Sequence, residues 1–194
     1  PYFFNAGLFN TGARLDRLGA FYAETLLAAR KAGRLDFDMI FGPAYKGIPL
    51  AASVAMNLSR MVCDVPWAFN RKEIKDHGEG GMIVGAPLKG RVVIIDDVIS
   101  AGTSVRESVK IIEANNASPS GVLIAVDRME RGGTADAPTA TSAVQDVEKT
   151  FGLSVVSIIN LHDLLAFMDG PSEKAKTVAQ YRDAVAAYRA RYGA

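Results

Sequence analysis

The stretch "VVIIDDVISAGTS", Val92 to Ser104, runs four β-branched apolar residues into two adjacent carboxylates and then into a loop of small and hydroxyl-bearing residues. An unbroken apolar run of this kind suits a strand buried on both faces of a parallel sheet. In such sheets ligands bind beyond the carboxyl ends of the strands, which is where Asp96 and Asp97 stand. The small residues of "VISAGTS" let backbone N–H groups approach an anion. A helix beginning near Thr103 or Ser104 adds its positive N-terminal dipole. Ser100, Thr103 and Ser104 supply hydroxyl donors. Phosphate suits the loop, while carboxylates suit neutral hydroxyls or a cation. The stretch therefore fits a ligand with both a phosphate and a diol, such as a ribose phosphate. The plainer alternative is an Asp-Asp turn that caps a helix and holds nothing.

Working outward, strand and helix patterns alternate. Residues 13–32 carry Leu15, Leu18, Phe21, Tyr22, Leu26 and Leu27 at helical spacing, with Thr11 as cap and Gly33 as stop. "FDMIFG" reads as a short buried strand. "KGIPLAASVAMNLSR" reads as a helix with Pro49 in its first turn. "VPWAFN", "MIVGAP", "RVVIIDD", "GVLIAVDRM" and "LSVVSIIN" read as further strands. "SVRESVKIIEANN", "VQDVEKTFG" and most of the chain after residue 160 read as helix. "RKEIKDHGEGG" and "ERGGTADAPTATSA" are polar or rich in Gly, Ala, Thr and Pro, and read as exposed loops. The expected class is α/β, a mostly parallel central sheet flanked by helices.

Composition narrows the function classes. With 194 residues, 49% of them hydrophobic, the chain can bury a sizeable core in a single domain. A net charge of +1, from 22 basic and 21 acidic residues, gives no global reason to expect a nucleic-acid or membrane partner. No apolar run approaches the ~20 residues of a membrane helix. "PYFFNAGLFN" has neither the basic start nor the long apolar core of a signal peptide. The lone Cys63 excludes an internal disulfide, fits a reducing compartment and reads as packing rather than nucleophile. A cytoplasmic location follows as an expectation. Neither "GxxxxGK[ST]" nor "GxGxxG" occurs, which removes the P-loop and dinucleotide fingerprints.

"VVIIDDVISAGTS" resembles the ribose-phosphate-diphosphate (PRPP) signature of the type I phosphoribosyltransferase family. Three further segments, in matching order and spacing, resemble the branch of that family that uses orotate. "PYFFNAGLFNTG" is similar to its orotate-binding segment, "FGPAYKGIPLA" to its diphosphate loop and "FNRKEIKDHGEGG" to its flexible catalytic loop. Together they span Pro1 to Arg131. The resemblance implies that fold, with residues 1–35 contributing to a small N-terminal hood and residues 71–80 forming the mobile loop. It implies transfer of a phosphoribosyl group from PRPP to orotate in pyrimidine biosynthesis, with Mg²⁺ as cofactor and a cytoplasmic homodimer that shares its active sites. Lys72 is the residue expected to reach the neighbouring site. The resemblance also implies a functional lysine shortly before "PYFFN", ahead of the point where this sequence begins. A purine phosphoribosyltransferase or a non-catalytic PRPP-binding regulator would share the central signature.

Carried over residue by residue, Phe3 and Phe4 flank the pyrimidine. Tyr45 and Lys46 lie beside the diphosphate. Arg71, Lys72, Lys75 and His77 meet the diphosphate from the mobile loop. Asp96 and Asp97 hold the ribose hydroxyls, directly or through Mg²⁺. Val98, Ile99, Ser100, Ala101, Gly102, Thr103 and Ser104 wrap the 5′-phosphate, with Ser100 also near orotate. Arg128, in "VDRMERG", faces the orotate carboxylate. Lys72, Lys75, His77, Asp96 and Asp97 are the expected catalytic groups. Plainer readings stand beside these: tandem phenylalanines as core, Lys46 as a solvated lysine, residues 71–81 as a solvated loop, and Arg128 as a partner for Glu130.

Overall fold

The computed structural model describes residues 4–75, 81–134 and 137–194. Its strands are β1 (Met39–Gly42), β2 (Trp67–Lys75), β3 (Gly81–Gly85), β4 (Arg91–Ile95), β5 (Ser118–Asp127), β6 (Arg131–Thr134), β7 (Ala137–Ser142) and β8 (Val155–Asn160). Its helices are α1 (Gly12–Lys31), α2 (Gly47–Met61), α3 (Thr103–Ala114), α4 (Ala143–Phe151), α5 (Leu161–Met168), α6 (Glu173–Val178) and α7 (Arg182–Tyr192). Six strands form the central sheet in the order β3-β2-β1-β4-β5-β8, and β6 pairs with β7 in a separate ribbon. Every pairing in the central sheet is parallel except β2 with β3 at the edge.

Burial follows the two-residue period of a strand. Val93 and Ile95 of β4 and Leu123 and Ala125 of β5 point into a core shared with Leu18, Tyr22 and Leu26 of α1 and Leu50, Val54 and Leu58 of α2. Their neighbours Val92, Ile94, Val122 and Ile124 point the other way, onto Val105, Val109 and Ile112 of α3 and Val147 of α4. Both faces are covered, hence the unbroken apolar runs. Cys63 packs partly buried against the first core. The Thr11 hydroxyl accepts from Arg14 N, capping α1 as expected. Within residues 1–35, expected to contribute to a hood, α1 lies on α2 and buries its apolar stripe in the main core.

Among the described residues, parts of two stretches expected as loops are strands. Arg71–Lys75 continue β2, with Asn70 opposite Ile83 and Lys75 opposite Gly81. "ERGGTADAPTATSA" contains the β6–β7 hairpin, with Arg131 opposite Ser142. Both lie outside the covered part of the sheet, so neither needs the apolar alternation that marks a strand in sequence.

The connections fix where a site can form. From β1 the chain crosses through α2 to β2 on one side, and from β4 it crosses through α3 to β5 on the other. β1 and β4 are neighbours, so the crevice past their carboxyl ends is the topological switch point of the sheet.

Candidate active site

Asp96 and Asp97 follow β4 into this crevice, both buried. Local hydrogen bonds explain how a strand end tolerates two adjacent charges. Asp96 Oδ1 accepts from Asp97 N at 2.9 Å, and Asp96 Oδ2 accepts from Ser104 Oγ at 2.8 Å. Asp97 Oδ1 accepts from Val98 N at 2.9 Å. From the turn after β1, Lys46 reaches across the switch point and donates to Asp97 Oδ2 at 2.8 Å. That bond raises the Lys46 pKa above its ordinary value. The Lys46 side chain is 59% exposed while Asp97 is 6% exposed, so the cation stands at the mouth and the carboxylate at the floor. Burial is the main cause of a raised Asp96 pKa, opposed by the Ser104 and Asp97 N–H bonds.

Residues 98–104 run from the end of β4 to the start of α3. Val98 to Ser104, with Ala44, Lys72 and Asp96, line a cleft of about 310 Å³. Gly102 stands before α3 with φ +69°, a conformation that costs glycine little and places the first N–H groups of the helix at the loop. The Ser104 hydroxyl is engaged by Asp96, leaving Ser100 and Thr103 as the loop hydroxyls for an anion. Lys72, exposed on β2, lines this cleft within its own chain. Arg71 Nη1 donates to Gly81 O at 3.1 Å and ties β2 to β3. Tyr45 is 71% exposed beside Lys46, and the peptide before it is cis.

A second cleft, of about 220 Å³, shares Ile99, Ser100 and Ala101 with the first and carries Arg128 on its far side. Ser100 therefore lines both clefts. Arg128 Nη2 pairs with Glu130 at 3.1 Å, so the ion pair weighed as the plainer reading exists within the cleft wall. Asp127 Oδ1 accepts from Met129 N at 2.8 Å, shaping a turn in which Met129 has φ +52°. Burial raises the Asp127 pKa.

Phe4 lines neither cleft. It packs on Phe9 with ring centroids 5.8 Å apart and borders an apolar cavity of about 410 Å³ with Val126, Leu164 and Val185. Phe3 and His77 lie outside the described residues, as does the side chain of Lys75, whose backbone ends β2.

Three residues that support the site were not singled out for it in the sequence. Asn70, buried in β2, accepts from Ala44 N at 3.0 Å and anchors the turn that carries Lys46. Tyr22, read as part of the apolar face of α1, donates its hydroxyl to Asp96 O at 2.8 Å. Burial, aided by the negative charges of Asp97 and Asp96, pushes its pKa well above the ordinary value and keeps the donor proton in place. An asparagine inside a strand pattern was the available signal for the first; for Tyr22 there was none. Tyr22→Phe leaves the Asp96 carbonyl without this donor and is expected to cost about 1 kcal/mol, read as a lowered urea midpoint. The third is Tyr188, whose hydroxyl donates at 2.9 Å to Glu130 in the wall of the second cleft.

A buried acid pair, a glycine-bearing loop at a helix N-terminus and a cation meeting the acid pair across a switch point define a domain built to hold a sugar phosphate. A family model described as a phosphoribosyl transferase domain matches residues 14–155. Orotate phosphoribosyltransferase of Herminiimonas arsenicoxydans is 61% identical over all of this chain and 85% of its own length. That of Bordetella petrii is 60% identical over all of this chain and 84% of its own. The solved orotate phosphoribosyltransferase of Francisella tularensis is 36% identical with a TM-score of 0.80, covering 100% of this chain and 87% of that one. The chain belongs to the orotate phosphoribosyltransferase family.

Proposed function

We propose that the chain transfers the 5-phosphoribosyl group of PRPP to orotate, giving orotidine 5′-monophosphate and diphosphate, with the two adjoining clefts as the active site. The wall that the clefts share at Ile99–Ala101 carries this reading, since the 98–104 loop and Asp96 line the cleft on one side of it and Arg128 lines the cleft on the other. The 5′-phosphate sits in the 98–104 loop and the ribose hydroxyls sit at Asp96 and Asp97. Arg128 takes the orotate carboxylate, a match for planar guanidinium donors.

Breaking the C1′–diphosphate bond places positive charge on the ribose ring and negative charge on the leaving group, and N1 of orotate closes the new bond as its proton passes to solvent or to the departing diphosphate. The protein orients both substrates and stabilises these charges, with no nucleophile of its own. Asp96 and Asp97 lie beside the developing cation. Tyr45, Lys46, Arg71 and Lys72 surround the departing diphosphate, joined in this reading by Lys75 and His77, which also serve as candidate proton donors to it.

Mg²⁺ fits this donor set only as a partner of the substrate's oxygens. Asp97 already faces the Lys46 ammonium, and among the described residues no cluster of three or more His, Cys, Asp or Glu side chains could hold a metal alone. Bound with PRPP, Mg²⁺ would neutralise diphosphate charge while keeping several of its waters. Phe3 and Phe4 flanking the base belong to this reading too, although Phe4 packs apart from the Arg128 cleft. So does a homodimer in which Lys72 of each chain also serves its neighbour. A cytoplasmic location agrees with the single unpaired Cys63. Among the described residues no helix is long and apolar enough to cross a membrane.

The test supplies PRPP and Mg²⁺ with orotate, uracil, adenine or hypoxanthine in competition. Orotate is expected to be the base consumed, and removal of Mg²⁺ with a chelator to abolish turnover. Consumption of a purine in its place would move the chain to another branch of the fold. PRPP binding with no base consumed would make it a binding protein.

A further inference from the structure

The loop that presents Arg128 is held from the far end of the chain. Glu130 spends one carboxylate oxygen on each of two partners: Oε2 meets Arg128 Nη2 at 3.1 Å, and Oε1 accepts from the Tyr188 hydroxyl of α7 at 2.9 Å. The Arg128 and Glu130 side chains are only 20% and 19% exposed. Backbone contacts run alongside. Glu130 forms an antiparallel bridge with Gly193, Ala194 N donates to Met129 O at 3.0 Å, and Arg131 Nε donates to Gly193 O at 2.8 Å. The helix itself is seated by Val185, in a cluster with Leu161 and Met168 against which Met129 packs.

We propose that Tyr188 is a positioning residue for Arg128, acting through Glu130, so that the C-terminal helix sets how well the cleft discriminates a base that carries a carboxylate. The proposal rests on the reading of Arg128 as the group that meets that carboxylate. An arginine side chain is long and loses rotamer freedom when it is held for a ligand, and fixing it beforehand removes that cost from binding. The Glu130 carboxylate can fix it only if the carboxylate cannot turn, and the Tyr188 hydrogen bond stops that rotation. The same bond draws charge from Oε1, which weakens the competition of Glu130 with a substrate carboxylate. Both effects favour orotate. Burial and the Glu130 carboxylate raise the Tyr188 pKa, so the hydroxyl keeps its proton over the neutral range.

Tyr188→Phe keeps the ring and removes only the donor. It is expected to raise the KM for orotate about three- to tenfold, the net worth of one such hydrogen bond. The KM for PRPP and kcat should hold, and preference for orotate over uracil should fall by the same factor. In the Arg128→Ala background, Tyr188→Phe should add nothing further, since both act through one group. A Tyr188→Phe enzyme with unchanged orotate KM, or one whose effect adds in full to that of Arg128→Ala, would overturn the proposal while leaving Arg128 its role. An Arg128→Ala enzyme with unchanged orotate KM would instead remove the carboxylate reading, and the proposal with it. A shift in both KM values together with a lowered melting temperature would mark Tyr188 as a packing residue only, which also overturns it.

Discussion

Asp97→Asn is expected to lower kcat/KM for PRPP by about two to three orders of magnitude, the usual loss when a preorganised charge at a reacting centre is removed. Asp97 lies at the floor of the switch point with Oδ2 against Lys46 and Oδ1 on Val98 N, so its position is set by the turn after β1 and by its own loop. An amide of the same shape keeps the packing and removes the charge that offsets a ribosyl cation. Steady-state kinetics with varied PRPP read the effect directly, and a loss under tenfold would contradict the role.

Asp96→Asn separates stability from activity. Burial raises the Asp96 pKa from the ordinary 3.8, so the folded state binds the proton more tightly than the unfolded chain does. Stability contributed at this site is therefore full below the unfolded value, falls as pH rises from there through the folded value, and stays low above it. The asparagine variant escapes that fall. It should equal or exceed the parent in urea midpoint at neutral pH, lose part of the parent's pH dependence in the acid window, and turn over poorly.

The second large effect is expected at Gly42, the last residue of β1. A Cβ there would overlap the carbonyl oxygen of Gly47 and stand 2.7 Å from Ala51 Cβ, because α2 begins directly over the strand end. Gly42→Ala must push α2 away from the sheet and carry the 43–46 turn with it. The expected cost is about 3 kcal/mol, at the upper end of overpacking substitutions. The variant should also bind PRPP about tenfold more weakly, since Lys46 loses its register with Asp97 by a shift worth roughly one strong polar contact. Urea unfolding and PRPP titration check the two parts. Parent-like stability would show that the strand and helix do not meet as described.

These positions show why parts of the site could be read in sequence and others could not. The acid pair, its loop and the flanking strand are contiguous, and each residue type there has a local reason to be present. Burial on both faces made β1, β4 and β5 visible, because both faces of each strand had to be apolar. The Arg71–Lys75 continuation of β2 and the ribbon β6–β7 escaped, since strands that meet solvent need no such pattern and their Gly, Thr and Lys content resembles that of a loop. Lys46 could be placed because it follows a strand end, although its contact with Asp97 spans 51 residues of sequence. Tyr22 and Tyr188 were out of reach for the same physical reason. The ring of Tyr22 obeys helix patterning and that of Tyr188 lies tilted against Tyr192, while each hydroxyl answers to a partner 74 or 58 residues away.

The most direct measurement is a crystal structure of the protein with orotidine 5′-monophosphate. The 5′-phosphate is expected on the N–H groups of residues 100–104, the ribose hydroxyls at Asp96 and Asp97, and the base carboxylate on Arg128 across the shared wall at Ser100. A phosphate bound outside the 98–104 loop, or a carboxylate met by groups other than Arg128, would contradict it.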